Sequence, residues 1–201
     1  MDFVELWRIY WPSWTPTTIA VGIVFGCLLG FCFLFRTIDG KMKPFQFVCA
    51  MMLFTWLYWV FASTVFCRTE YSEYHYSLKL FWSYEFMRAY PNSYMLQEIV
   101  LNILMLLPVG VLFPVAFDCR KLWVTTLFGF LCTTGIELLQ LITKRGLFEW
   151  DDMFHNTLGV IVGYLLVTSA MKMSEYGQFT DKEKSGKNSG LKLHKKDDRA
   201  A

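Results

Sequence analysis

The sequence predicts an all-α, polytopic integral membrane protein, a helical bundle with about five transmembrane helices. Three observations predict this fold class. Of the 201 residues, 55% are hydrophobic and 18% are aromatic, and the mean hydropathy is +0.35. Five apolar runs approach the ~20 residues that a helix needs to cross a bilayer. The formal net charge is only +2, which gives no indication of a nucleic-acid partner.

Residues 1–16 precede the first span and are predicted to lie along the membrane surface. Trp and Tyr rings favour the membrane–water interface, and the two prolines of this segment interrupt a helix. The segment is neither basic nor purely apolar, so we do not expect a cleavable signal peptide. Its aromatic residues are Trp7, Tyr10, Trp11 and Trp14.

Residues 17–171 form the predicted transmembrane domain, and its first two spans cover about 17–35 and 45–66. The first span carries glycines at every fourth position, which places them on one helical face. Small residues at that spacing allow another helix to approach closely, so we interpret this face as a packing surface. The glycines are Gly22, Gly26 and Gly30.

The connection 67–97 is the longest between spans, and it is too charged to cross the membrane although it is rich in aromatic residues. It is interpreted as an interfacial or re-entrant segment. Two arrangements remain open at this point: a helix that lies at the lipid headgroups, or a segment that covers a site.

The remaining three spans cover about 97–117, 122–143 and 153–171, and 144–152 forms a charged hairpin between the last two. Prolines within the third span predict a kink or free backbone carbonyls. Residues 172–201 are polar and lysine-rich, so we predict a disordered, basic, cytoplasmic tail.

The distribution of Lys and Arg predicts the orientation. With five spans, thirteen of these residues lie on the side of the C-terminus and six on the side of the N-terminus. The positive-inside rule therefore predicts a multi-pass plasma-membrane protein with a cytoplasmic C-terminus. Without the tail the counts are five and six, so the tail and the length of the 67–97 loop decide the orientation.

Polar side chains occur at similar depth in three spans. A rise of 1.5 Å per residue places Glu137 about 10 Å, Asn102 about 7 Å and Asn156 about 6 Å below the hairpin end of the bundle. A charge or amide inside a span is costly, so it faces other protein groups rather than lipid. With the predicted orientation, these residues indicate a polar pocket in the outer leaflet.

The helical spacing supports this interpretation. Glu137 and Gln140 are three residues apart in the fourth span and share a face of that helix. In the last span, polar residues and glycines also share one face and form a stripe. The glycines of that stripe have the GxxxG spacing that brings two helices into close contact. The stripe consists of Asp152, Asn156, Gly159 and Gly163.

Local explanations compete with a functional one for several of these residues. Asp151 and Asp152 begin a helix, where carboxylates accept from free backbone N–H groups. Glu137 could form a structural ion pair with Arg145 through the turn. His155 is a lone histidine, which more often faces a neighbour or water than a metal. No metal, nucleotide or nucleophile-elbow motif occurs, so the sequence predicts no metal and no cofactor.

Three motifs, in the same order and at the same spacing, make the chain resemble the VanZ-like family of bacterial membrane proteins. They are NILMLLPVG at 102–110, IELLQ at 136–140 and KRGLFEWDDMFHNTLGVIVG at 144–163. The stretch LKLFW at 78–82 lacks the Asn and Pro that the family often carries there, and Glu149 stands where Asp is common. The tail is not part of the shared pattern.

The resemblance implies a bacterial plasma-membrane protein of the cell envelope, and the family's founding member is associated with resistance to the glycopeptide teicoplanin. It implies no reaction. Two hypotheses follow, with the lipid bilayer as the surrounding partner in each. In one, a pocket of Asn102, Glu137, Gln140, Arg145, Asp151, Asp152 and Asn156 binds a lipid headgroup or a cell-wall component.

In the other hypothesis the protein is an intramembrane enzyme that acts on a lipid-linked or envelope substrate. Glu137 is then the general acid or base, and Asp152 and Arg145 position a phosphate or sugar. A transporter is least favoured, because five spans show no inverted repeat. The sequence does not distinguish an enzyme from a binding protein, and it gives no oligomeric state.

Overall fold

A computed structural model describes the backbone of residues 11–91 and 94–197, and the side chains of these ranges as far as Met173. Five helices in this part of the chain are long and apolar enough to cross a membrane, which confirms the predicted fold class. They are α1 (Pro16–Ile38), α2 (Pro44–Phe61), α4 (Met95–Ala116), α5 (Leu122–Thr143) and α6 (Trp150–Asp197). A π-helical turn, Ala62–Phe66, extends α2, and the short α3 (Trp82–Ala89) precedes α4.

Helix α1 begins at a capping box and packs against α2. The hydroxyl of Thr15 accepts from the N–H of Thr18, and the hydroxyl of Thr18 accepts from the N–H of Thr15. None of the residues of α1 is buried. Gly22 lies against the ring of Tyr58, where a Cβ atom would be 2.6 Å from a ring carbon. The glycine stripe is therefore the face of α1 that contacts α2.

The described part of the N-terminal segment packs against the end of α2. The rings of Trp11 and Trp14 lie 4.7 and 5.7 Å from the ring of Trp59, measured between centroids. Ser13 Oγ donates to the carbonyl of Cys67 at 2.9 Å. Residues 1–10, which include Trp7 and Tyr10, lie outside the described residues, and the interfacial position of the segment stays a prediction.

A small parallel sheet, which the sequence did not predict, joins the two loops at one end of the bundle. Strand β1 (His75–Ser77) comes from the long connection after α2, and β2 (Leu147–Glu149) lies between α5 and α6. Tyr76 pairs with Phe148. Three-residue strands paired across more than seventy positions leave no periodic signal in the sequence. We call this end of the bundle the sheet end.

Helices α4 and α6 approach so closely that only glycine fits at the contact. A Cβ atom on Gly159 would lie 2.0 Å from the carbonyl oxygen of Ile103, and one on Gly163 would lie 2.2 Å from that of Leu107. Gly110 of α4 meets the carbonyl of Val160 in the same way. This contact fixes the distance between the two helices that carry Asn102, Asp152 and Asn156.

Helix α6 continues through the lysine-rich region and ends at Asp197. The sequence predicts disorder from residue 172, whereas the structure gives that region a helical backbone as far as Asp197. Lys, Glu and Leu are good helix formers, which accounts for a local helical preference without a packed core. The disordered, cytoplasmic character of the tail stays a prediction.

Candidate functional site

A cavity of about 260 Å³ lies at the sheet end, between α4, α5 and α6. We call it the polar cavity, because carboxylates and amides make up much of its wall. Five of the residues singled out in the sequence line it, and they come from three different helices. The lining residues are Thr64, Arg68, Trp82, Glu98, Asn102, Met105, Ile136, Glu137, Gln140, Leu147, Glu149, Asp152 and Asn156.

Glu137 is buried in the wall of the polar cavity, with 1% of its surface exposed. Its Oε2 accepts the backbone N–H of Glu149 at 2.8 Å. Glu149 ends β2 directly before α6 begins, where a backbone N–H has no partner within the helix. The buried carboxylate therefore ties α5 to the segment that leads into α6.

Two further hydrogen bonds join polar residues across the helices. Asn102 Nδ2 donates to Asp152 Oδ1 at 2.6 Å, which links α4 to α6. Asn156 Nδ2 donates to Thr133 Oγ1 at 2.9 Å, which links α6 to α5. The polar stripe of the last span thus faces both neighbouring helices, in the direction that its spacing indicated.

Gln140 is held on another side of the polar cavity. Its Nε2 donates to the carbonyl of Thr64, in the π-helical turn, at 3.0 Å. Gly146 lies over the same side chain, since a Cβ there would be 2.7 Å from a Gln140 side-chain carbon. The glycine of the Arg-Gly pair in the third motif therefore makes room for Gln140.

Arg145 does not line the polar cavity. Lys144 adopts a left-handed conformation with φ 52°, which turns the chain after α5. The Nη1 of Arg145 then donates to the carbonyl of Phe66 at 2.9 Å. No ion pair between Glu137 and Arg145 occurs in the described structure, so the pairing considered from the sequence is wrong.

Asp151 also lies outside the polar cavity, and it anchors α3 instead. Its carboxylate accepts from the backbone N–H groups of Phe81 and Ser83 and from the hydroxyl of Ser83. These donors belong to the start of α3, where N–H groups lack partners within the helix. Ser83 is buried as a result.

A second contact fixes α3 on α6. The hydroxyl of Tyr84 and Nε2 of His155 are 2.8 Å apart, and His155 is 1% exposed. His155 therefore meets a neighbouring side chain, as expected for a lone histidine. With α3 held in this way, Trp82 at its first position reaches the wall of the polar cavity. The charged connection thus supplies part of the cavity wall.

A comparison with models of known protein families shows the family to which the chain belongs. A family model described as VanZ/LLP1 matches residues 45–171. The chain belongs to the VanZ/LLP1 family. The match includes every residue that lines the polar cavity, whereas α1 and the tail lie outside it. No curated protein and no solved structure matches this VanZ-family chain.

Acidic groups dominate the charge of the polar cavity. Its lining includes four carboxylates, from Glu98, Glu137, Glu149 and Asp152, and one guanidinium, from Arg68. Burial, and then the nearby carboxylate of Asp152, raises the pKa of Glu149 to about 7. Among the described residues, no group of three His, Cys, Asp or Glu side chains is arranged to hold a metal ion.

Several lining residues were not singled out in the sequence. Glu98 lies four residues before Asn102 on α4, so helical periodicity was a signal that could have found it. Arg68 and Trp82 come from the connection after α2, and Glu149, which the sequence analysis named only as a departure from the family pattern, ends β2. The positions of these segments depend on contacts between distant parts of the chain. No pattern within the sequence indicates those contacts.

Three buried polar atoms of the lining residues have no partner at hydrogen-bonding geometry among the described residues, although the indole of Trp82 lies beside the carboxylate of Glu149. They are Trp82 Nε1, Glu149 Oε1 and Asn156 Oδ1. Unsatisfied buried polar atoms are few in folded proteins and call for an explanation. A water molecule or another polar group in the cavity would complete their hydrogen bonds.

Proposed function

We propose that this VanZ-family membrane protein binds a polar component of the bacterial cell envelope, a lipid headgroup or a cell-wall unit, in the polar cavity. The observation that carries the proposal is the cavity itself. It is a polar space between membrane-length helices, and among the described residues the buried Oδ1 of Asn156 in its wall has no hydrogen-bond partner. Burying such groups is costly unless a ligand or water completes their hydrogen bonds.

The volume of the polar cavity limits the size of the ligand. At about 260 Å³ it lies below the usual 300–1,000 Å³ of pockets for drug-sized molecules. One headgroup or one sugar unit fits this volume, whereas a whole glycopeptide antibiotic does not. We therefore propose that glycopeptide tolerance follows from what the protein does to the envelope, and not from capture of the drug.

We propose further that the sheet end faces the outside of a plasma membrane and that the C-terminus is cytoplasmic. The support is the bias of Lys and Arg, with thirteen on the side of the C-terminus and six on the other. In this orientation the polar cavity opens toward the outer leaflet, where envelope precursors are presented.

The experiment is a deletion strain complemented with variants. Deletion is expected to change teicoplanin susceptibility, and the wild-type gene restores it. Asp152→Asn, which removes a charge of the cavity wall, fails to restore it at equal protein level. The matched control Glu85→Gln changes an exposed carboxylate that pairs with Lys79 outside the cavity, so it restores susceptibility fully. Unchanged susceptibility after deletion in a glycopeptide-sensitive host contradicts the proposal.

A second candidate function is an intramembrane enzyme that acts on a lipid-linked or envelope substrate. The position of Glu137 favours it, because a general acid or base needs a carboxyl group fixed at the wall of a substrate cavity. Asp152 is the second carboxylate of that wall. The test compares lipid profiles of wild-type and Glu137→Gln cells with equal protein levels. Identical profiles exclude catalysis by Glu137.

A further inference from the structure

The open hydrogen-bonding positions of the polar cavity are mostly acceptors. Asn156 is 1% exposed, its Nδ2 donates to Thr133, and its Oδ1 has no partner among the described residues. Oε1 of Glu149 is likewise buried without a partner. A ligand that completes these positions must donate hydrogen bonds.

The charge of the wall points in the same direction. Four carboxylates and one guanidinium line a space of about 260 Å³, so their combined charge is negative when the carboxylates are ionised. A positively charged group between the carboxylates offsets their mutual repulsion. An ammonium combines this charge with three N–H donors, which matches the acceptors.

Arg68 provides the opposite charge. It is exposed and lines the cavity, and none of the ion pairs among the described residues involves it. The indole N–H of Trp82 is a further donor of the wall, and it lies beside the carboxylate of Glu149. Guanidinium and indole N–H groups suit the oxygens of a phosphate. The wall of the cavity therefore carries both acceptors for a cation and donors for an anion.

We propose that the ligand of the polar cavity is a zwitterionic lipid headgroup with a primary ammonium next to a phosphate, as in phosphatidylethanolamine. The inference rests on the proposed binding function and names its ligand class. The ammonium lies among Asn156, Asp152 and Glu149, and the phosphate lies at Arg68. The lipid source follows from the setting, because the cavity lies between apolar, membrane-length helices.

The test measures binding of short-chain lipids to the purified full-length protein in a non-ionic detergent. The probes are dihexanoyl phosphatidylethanolamine, phosphatidylcholine and phosphatidylglycerol. The choline group keeps the positive charge but has no N–H donor, and the glycerol lipid has no cation. We expect the ethanolamine lipid to bind at least about tenfold more tightly than the other two, since one charge-assisted hydrogen bond is of this size.

Variants connect the binding to the cavity wall. Asp152→Asn and Glu149→Gln are expected to weaken binding of the ethanolamine lipid at least about tenfold, and Glu85→Gln leaves it unchanged. Both wall variants keep the size of the side chain, and a single symmetric peak in gel filtration establishes that they fold. Equal weakening by Glu85→Gln, or no weakening by either wall variant, overturns the inference.

The outcomes separate this inference from the proposed function. Equal affinity for the choline lipid, or tighter binding of the glycerol lipid, overturns the ammonium assignment while envelope binding stands. If an amine-bearing cell-wall peptide binds and none of the lipids does, the lipid assignment is overturned while envelope binding stands. If no lipid binds and deletion leaves teicoplanin susceptibility unchanged, both proposals fail.

Discussion

The buried carboxylate of Glu137 accepts the backbone N–H of Glu149 at 2.8 Å, and this bond joins α5 to the start of α6. Both residues line the polar cavity, so the same contact shapes the site and connects two spans. The geometry of the cavity is therefore coupled to the stability of the bundle.

Replacement of Glu137 tests the hydrogen bond to Glu149. Both Glu137→Leu and Glu137→Gln remove a buried carboxylate, but only Gln keeps an oxygen that can accept the N–H. We expect the Leu variant to have a free energy of unfolding lower than the Gln variant by about 1–3 kcal/mol, the cost of one unpaired buried N–H. Unfolding of the two variants in detergent gives the difference, and equal stability would falsify the role of this bond.

The glycines of α6 are expected to tolerate no side chain. Gly159→Ala and Gly163→Ala place a Cβ 2.0 and 2.2 Å from the carbonyl oxygens of Ile103 and Leu107, so α4 and α6 must separate. We expect each to lower the free energy of unfolding by about 1–3 kcal/mol or more. Gly135→Ala is the control, because its nearest neighbour lies at 3.8 Å. A control that destabilises as much as Gly159→Ala contradicts the close contact.

Asp151 is expected to hold α3 in place. Asp151→Ala removes the acceptor for the first N–H groups of α3, so α3 detaches from α6 more often. Trypsin then cleaves after the exposed Arg88 faster than in the wild type, as followed by mass spectrometry. Glu85→Gln, which loses only an exposed ion pair with Lys79, leaves the cleavage rate unchanged. Unaltered cleavage of the Ala variant excludes this anchoring role.

Glu149 makes stability depend on pH. Burial, and then the carboxylate of Asp152, raises its pKa from 4.5 to about 7 in the folded protein. Between these values the unfolded chain has lost the proton that the folded protein keeps, so the stability falls as the pH rises from about 4.5 to about 7. The contribution of Glu149 to the free energy of unfolding is therefore complete below about pH 4.5 and is lost above about pH 7.

The difference between wild type and Glu149→Gln isolates this contribution, because other carboxylates titrate in both proteins. The thermal midpoint of the wild type is expected to fall more steeply than that of the variant over this pH range. Parallel pH profiles of the two proteins contradict the assignment.

The features that could be predicted from the sequence are those that follow from apolar runs and helical spacing. Span limits such as 17–35 and 122–143 agree closely with α1 and α5, and the depth arithmetic brought Asn102, Glu137 and Asn156 to one end of the bundle. The span limits agree with the helices because an apolar run is a local property of the sequence. The distance along a helix then converts directly into depth.

The parts that the sequence did not predict depend on turns and on contacts between distant segments. The left-handed Lys144 directs Arg145 to the carbonyl of Phe66 and away from Glu137. Asp151 was a reasonable helix-start residue, but its partners lie about seventy positions earlier, in α3. The spacing of residues along the chain indicates neither contact. The sequence analysis therefore placed both Arg145 and Asp151 in the pocket.

The central claim is that a water-accessible polar cavity opens to the outside between lipid-covered helices. Met105→Cys and Leu104→Cys, each in a cysteine-free background, test it most directly on intact cells with a membrane-impermeant thiol reagent. Met105 lines the cavity, whereas the neighbouring Leu104 is 51% exposed on the apolar surface of the bundle, where a thiol does not ionise. The account predicts labelling of Met105→Cys and none of Leu104→Cys. Labelling of Met105→Cys only after permeabilisation, or equal labelling of both, would contradict it.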